Sequence, residues 1–124
     1  MILENFYKIE AKNTIEENKI YSFDITINDK HAIFKGHFPS NPIMPGVCMM
    51  QITKDIAEDL TASKLFMKKC SNVKFMAIIN PEVNKDLNLQ ITISEDENGN
   101  VKIKNITKFE DTVALKLSAI YQKM

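Results

Sequence analysis

A histidine, three prolines and a glycine crowd into the run His37-Phe38-Pro39-Ser40-Asn41-Pro42-Ile43-Met44-Pro45-Gly46, and the apolar segment Val47-Cys48-Met49-Met50 follows directly. Proline fixes φ and restricts the residue before it, so a helix cannot begin until the Pro45-Gly46 step. The spacing predicts an imidazole held just outside a helix N-terminus, beside unpaired N–H groups and the positive end of the helix dipole. A base next to such an oxyanion site suits chemistry at a carbonyl or thioester.

The elements that must position this run follow from the hydrophobic period. From Ile20 to Asn28, Tyr21, Phe23, Ile25 and Ile27 alternate with polar residues, which predicts a half-buried strand; residues 5 to 11 predict a shorter one. Asn28-Asp29-Lys30 turns the chain. The helix is expected from about Gly46 to about Leu60, apolar on nearly all sides in its first half and therefore buried, and wetter where Lys54, Asp55, Glu58 and Asp59 follow. Thr61-Ala62-Ser63 ends it. Residues 65 to 79 lean to strand until Asn80-Pro81-Glu82 breaks them. Leu87, Leu89, Ile91 and Ile93 alternate strictly, and Asn98-Gly99 is a strong hairpin signal. Val101 and Ile103 resume the alternation, but Ile106 falls out of phase, which predicts a bulge near Asn105. Val113, Leu115, Leu117, Ala119 and Tyr121 make the last strand. One buried helix and a meander of antiparallel strands argue for an α+β domain, a curved sheet wrapped around the helix.

The proline-rich run resembles the FabZ/FabA type of 3-hydroxyacyl-acyl-carrier-protein dehydratase, whose FabZ-like pattern is H-F-P-G-x-P-x-M-P-G-V, three residues, then Glu. His37, Phe38, Pro39, Pro42, Met44, Pro45, Gly46 and Val47 match it, Ser40 replaces the usual Gly, and Gln51 stands where the family has its second catalytic residue, Glu or Asp. Phe75 and Pro81 fall where FabZ-like chains have a Phe and a Pro-Gly-Asp turn. The resemblance implies a hot-dog fold over residues 1–124, paired edge to edge as a homodimer or a dimer-based higher oligomer. It implies His37 as the general base that takes a proton from Cα of a 3-hydroxyacyl thioester, with Gln51 at the second catalytic position. Backbone N–H groups of Gly46 and Val47 would hold the thioester oxygen, and Phe38 would line the site. The substrate would be carried on acyl carrier protein or coenzyme A, in fatty acid or related acyl-chain synthesis.

An amide at position 51 cannot donate an acidic proton, though it can hydrogen-bond a hydroxyl or a water. Three readings stay open: a dehydratase, a hot-dog thioesterase in which Gln51 orients a water, and an acyl-binding homologue without catalysis. Asp55 lies one helical turn beyond Gln51 and is expected to be a solvated helix residue. His31 matches no catalytic position and is expected at the surface or in packing. Met44, Met49, Met50, Met67 and Met76 would suit an acyl tunnel, with core filler the simpler account of most.

Composition narrows the partners. The chain of 124 residues is one domain's length, 44% hydrophobic and 26% charged, with a formal net charge of zero. Nothing there points to nucleic acid or to a membrane surface. All 16 basic residues are lysines, so any acidic partner meets point charges rather than guanidinium forks. Cys48 and Cys70 carry no metal-ligand spacing, and no metal or redox cofactor is called for. The N-terminus lacks a signal pattern and no apolar run is long enough to span a bilayer, so a cytoplasmic protein is expected.

Overall fold

The computed structural model describes residues 4–35 and 43–124. His37 and Phe38 lie outside the described residues. Six strands form one antiparallel sheet: β1 (Tyr7–Glu16), β2 (Ile20–Ile27), β3 (Leu65–Phe75), β4 (Asp86–Glu95), β5 (Val101–Phe109) and β6 (Thr112–Lys123), in the order β1-β2-β4-β5-β6-β3. A 3-10 turn, Ala32–Phe34, follows β2, and one helix, α1 (Gly46–Thr61), comes before β3. The curved sheet holds α1 at its centre, which is the hot-dog architecture.

The local chemistry explains the joints. In the β4–β5 hairpin Asp96 accepts the N–H groups of Asn98 and Asn100 at 2.9 Å each, which holds its carboxyl below the usual range. Gly99 supplies the left-handed φ of +78° that the turn requires. Ala62 ends α1 in the left-handed conformation, and Glu58 reaches past it to accept the N–H of Leu65 at 2.8 Å. β1 runs to Glu16, well beyond residue 11, because it pairs with β2 along its whole length at the sheet's edge. Its largely exposed side chains give the period little to show.

Cys48, Met49, Ile52, Thr53, Ile56 and Ala57 form the inward face of α1, packed into a core with Phe23, Ile25, Leu89, Ile91, Ile103, Leu115 and Leu117. Val47 is 57% exposed, so the first turn of the helix is not buried all round in the single chain. The bulge expected near Asn105 is not there. β5 keeps its phase, with Val101, Ile103, Asn105 and Thr107 all turned inward, and the only register irregularity against β6 lies between Thr107 and Lys108. Asn105 occupies a core position because it is needed there. Its Nδ2 donates to Thr53 Oγ1 at 2.9 Å, Thr53 donates to the Met49 carbonyl at 2.7 Å, and Thr107 donates to Asn105 Oδ1 at 2.9 Å.

This buried chain of hydrogen bonds contrasts with Tyr121, whose buried hydroxyl has no partner among the described residues. Removing one partner from a satisfied buried network leaves the others uncompensated, whereas removing an orphan costs only shape. Asn105→Ala is expected to destabilise by about 2–3 kcal/mol. Tyr121→Phe should be neutral or stabilise by up to about 1 kcal/mol. Urea unfolding of both variants checks this, and an equal loss in each would contradict it.

Candidate active site

The first turn of α1 is built to leave backbone donors open. Pro45 is the N-cap and makes no side-chain capping bond, and no acidic residue stands in the first turn. Cys48 N–H bonds back to the Pro45 carbonyl at 3.1 Å, while among the described residues nothing accepts from the N–H of Gly46 or Val47. Among the described residues, two N–H groups at the positive end of a helix dipole are thus open to an anionic or carbonyl oxygen.

Beside them lies a mainly apolar groove of about 490 Å³, lined by residues 43–46 and 75–79. Its two walls are tied by Met44 N–H to the Ile79 carbonyl at 2.8 Å, and its second wall by Met76 N–H to the Ala114 carbonyl at 2.8 Å. Gly46 allows a close approach: a Cβ there would stand 3.1 Å from Cε2 of Phe75, so the ring would have to give by a few tenths of an ångström. The match of Phe75 to the family position thus has a local meaning, since its ring covers the helix start. Met44 and Met49 are core residues and Cys48 is buried, which pushes its thiol up, whereas Met76 is half exposed at the groove.

Gln51 lies one turn along from Val47, on the same row of the helix, and about 140° around the axis from Gly46. The described contacts therefore do not join it to the groove. They join it to Asp55, where the outcome differs from expectation. Asp55 is not a solvated helix residue: it is half buried and accepts from Gln51 Nε2 at 2.9 Å and from the Tyr7 hydroxyl at 3.0 Å. Burial first, then the charge and hydrogen bond of Asp55, raise the Tyr7 phenol far above the ordinary tyrosine range. Tyr7 comes from β1, a distance of 48 residues in sequence, which is why no local pattern could reveal the pairing. His31 is structural: Nδ1 accepts from Ile33 N–H at 3.1 Å, Nε2 faces the Glu4 carbonyl at 2.9 Å, and the ring packs edge-on against Phe6. Among the described residues no group of three or more His, Cys, Asp or Glu could hold a metal ion. No helix there is long and apolar enough to cross a membrane.

A family model described as ApeI-like, ApeI dehydratase, matches residues 12–118. The chain belongs to the ApeI-like dehydratase family. It is 33% identical over 113 residues to a 3-hydroxyacyl-acyl-carrier-protein dehydratase FabZ of Rickettsia bellii, covering 91% of this chain and 74% of that protein. It is 29% identical over 125 residues to the enzyme of the same name from Lactobacillus helveticus, covering 91% and 82% respectively. In fold it is similar to a chain of the dehydratase heterocomplex ApeI:P from Xenorhabdus doucetiae, with a TM-score of 0.69, 19% identity and coverage of 94% of this chain and 97% of that one. This ApeI-like chain is thus also related to FabZ dehydratases, the type its proline-rich run resembles.

The Tyr7–Asp55 bond has an alkaline signature. The folded chain holds the Tyr7 proton to higher pH than the unfolded chain, whose tyrosines ionise near about 10. The stabilisation is complete below that value and is lost as pH rises toward the folded one, because the unfolded chain releases protons first. Tyr121, raised by burial, behaves alike. Wild-type unfolding midpoints should fall between about pH 9.5 and 11.5, and Tyr7→Phe should fall less steeply. Parallel pH curves for the two proteins would contradict the assignment.

Proposed function

We propose that this chain is a hydro-lyase that converts 3-hydroxyacyl thioesters, carried on acyl carrier protein, to trans-2-enoyl thioesters in fatty acid or related acyl-chain synthesis. The observation that carries the proposal is the start of α1 beside an apolar groove, where among the described residues the N–H groups of Gly46 and Val47 meet no acceptor. The names of the FabZ relatives supply the substrate class.

In this reading the acyl chain lies in the groove and the thioester oxygen sits on the Gly46 and Val47 N–H groups. His37 takes a proton from C2. The negative charge that develops on the thioester oxygen is held by those donors, pre-oriented by the helix. Elimination then breaks the C3–O bond and forms the C2–C3 double bond. His37 returns its proton to the departing hydroxyl, which leaves as water. Gln51 hydrogen-bonds that hydroxyl, and Phe38 lines the site. All proton transfer falls to His37, since an amide cannot act as the acid.

His37→Ala should lower turnover by about a hundredfold to ten-thousandfold while the fold stays intact. Gln51→Glu should raise dehydration. The new carboxyl would stand beside Asp55. Two carboxyl groups at hydrogen-bond distance share one proton, so one of them stays protonated well above the ordinary range and can serve as an acid. Enoyl-thioester formation and free-thiol release are measured side by side. Thiol release without enoyl product would favour a thioesterase, and no turnover in any variant would leave an acyl-binding role.

The assembly belongs to the same proposal. β3 is an end strand whose Val73 and Phe75 are 42% and 44% exposed, an edge that pairing with a second copy would cover. Light scattering is expected to give a dimer for the wild type and a monomer for Val73→Lys. A monomeric wild type would contradict this.

A further inference from the structure

We infer that Asp55 is a positioning residue that, locked by Tyr7, fixes the Gln51 amide so that its carbonyl oxygen and not its nitrogen is offered to substrate. The inference rests on the proposal that Gln51 faces the 3-hydroxyl group. An amide has a donor end and an acceptor end of nearly the same shape, and a free glutamine presents either. Here the choice is made by the neighbour. Each oxygen of Asp55 takes one donor: Oδ1 takes Gln51 Nε2 at 2.9 Å and Oδ2 takes the Tyr7 hydroxyl at 3.0 Å. An ionised carboxylate only accepts, so it admits the nitrogen end of Gln51 and turns away the oxygen end. Among the described residues no donor reaches Gln51 Oε1, which is left open as an acceptor.

The bond is local to one face of α1, but its anchor is not. Tyr7 arrives from β1, so the carboxylate is fixed by the sheet as well as by the helix. A second donor from a different element restrains Asp55 from turning with the Gln51 side chain.

An acceptor at this point has a defined use. Gln51 Oε1 takes the hydrogen of the substrate's 3-hydroxyl, which leaves the lone pairs of the hydroxyl oxygen open to an incoming proton. That proton, taken from C2, then leaves with the hydroxyl as water. Neither Gln51 nor Asp55 gains or loses a proton. This accounts for an amide at a position where the FabZ-like pattern has a carboxyl group: the amide orients the leaving group and His37 carries the proton both ways.

The test combines kinetics with a spectroscopic readout. Asp55→Asn removes the constraint, because a carboxamide in place of the carboxylate can meet either end of Gln51. Its kcat should fall about five- to tenfold, the worth of one hydrogen bond, with KM little changed. Tyr7→Phe should lower kcat about twofold. The exchange Gln51→Glu with Asp55→Asn keeps the bond with its polarity reversed, and it should recover most of the loss. In nitrogen-15 spectra the side-chain NH2 resonances of Gln51 should move in both Asp55→Asn and Tyr7→Phe. A merely structural role would lower stability without splitting kcat from KM and without rescue by the exchange. Wild-type kcat in Asp55→Asn, or Gln51 resonances that stay in place in both variants, overturns the inference. If the wild type turns over no thioester, the dehydratase proposal fails, and the resonances then decide the orienting link alone.

Discussion

Everything in this fold depends on seating α1 in the hollow of the sheet. The helix contributes six buried residues to the core, five of them apolar and one, Thr53, polar. Apolar packing supplies most of the affinity between layers but is non-directional, so it leaves rotation and slide of the helix weakly determined. The bond from Asn105 to Thr53, with Thr107 behind it, is directional and wholly buried. A mis-seated helix would leave those groups unpaired, at a cost of about 1–3 kcal/mol each. The network therefore fixes where the helix N-terminus lies, and with it the Gly46 and Val47 N–H groups and Gln51.

From that fixed axis the site divides by face. Gly46 turns toward β3, where the Phe75 ring lies close and where the apolar groove begins. Gln51 bonds Asp55, which in turn meets Tyr7 of β1. The Gly46 and Val47 N–H groups sit at the start of the helix between these two flanks. Fixed donors and a fixed acceptor on one rigid element cost no reorganisation when charge develops, which is how such sites lower a barrier.

Much of this was legible in sequence for identifiable reasons. Pro45-Gly46 marks the helix start because proline forbids anything earlier, and α1 begins at Gly46 as expected. Strict alternation located β2, β4 and β6, and Asn98-Gly99 located the hairpin, since each pattern is set by neighbours in sequence. The failures were long-range. Ile106 reads as out of phase in sequence because a polar residue, Asn105, holds the inward position; the partner that keeps it there, Thr53, is 52 residues away. Asp55 looked solvated for the same reason. Val47 is apolar yet exposed, so the helical pattern overstated how much of the first turn a single chain buries. His37 and Phe38 rest on the motif alone, since they lie outside the described residues.

The central claim is that protein-held groups move a proton at C2 of an acyl thioester while the thioester stays intact. Mass spectrometry of a trans-2-enoyl thioester incubated with the wild-type protein in heavy water tests it most directly. The account predicts hydration to the 3-hydroxyacyl thioester, with one deuterium bound to C2 and the thioester bond unbroken. Cleavage to free thiol and acid, or an enoyl thioester recovered unchanged, would contradict it.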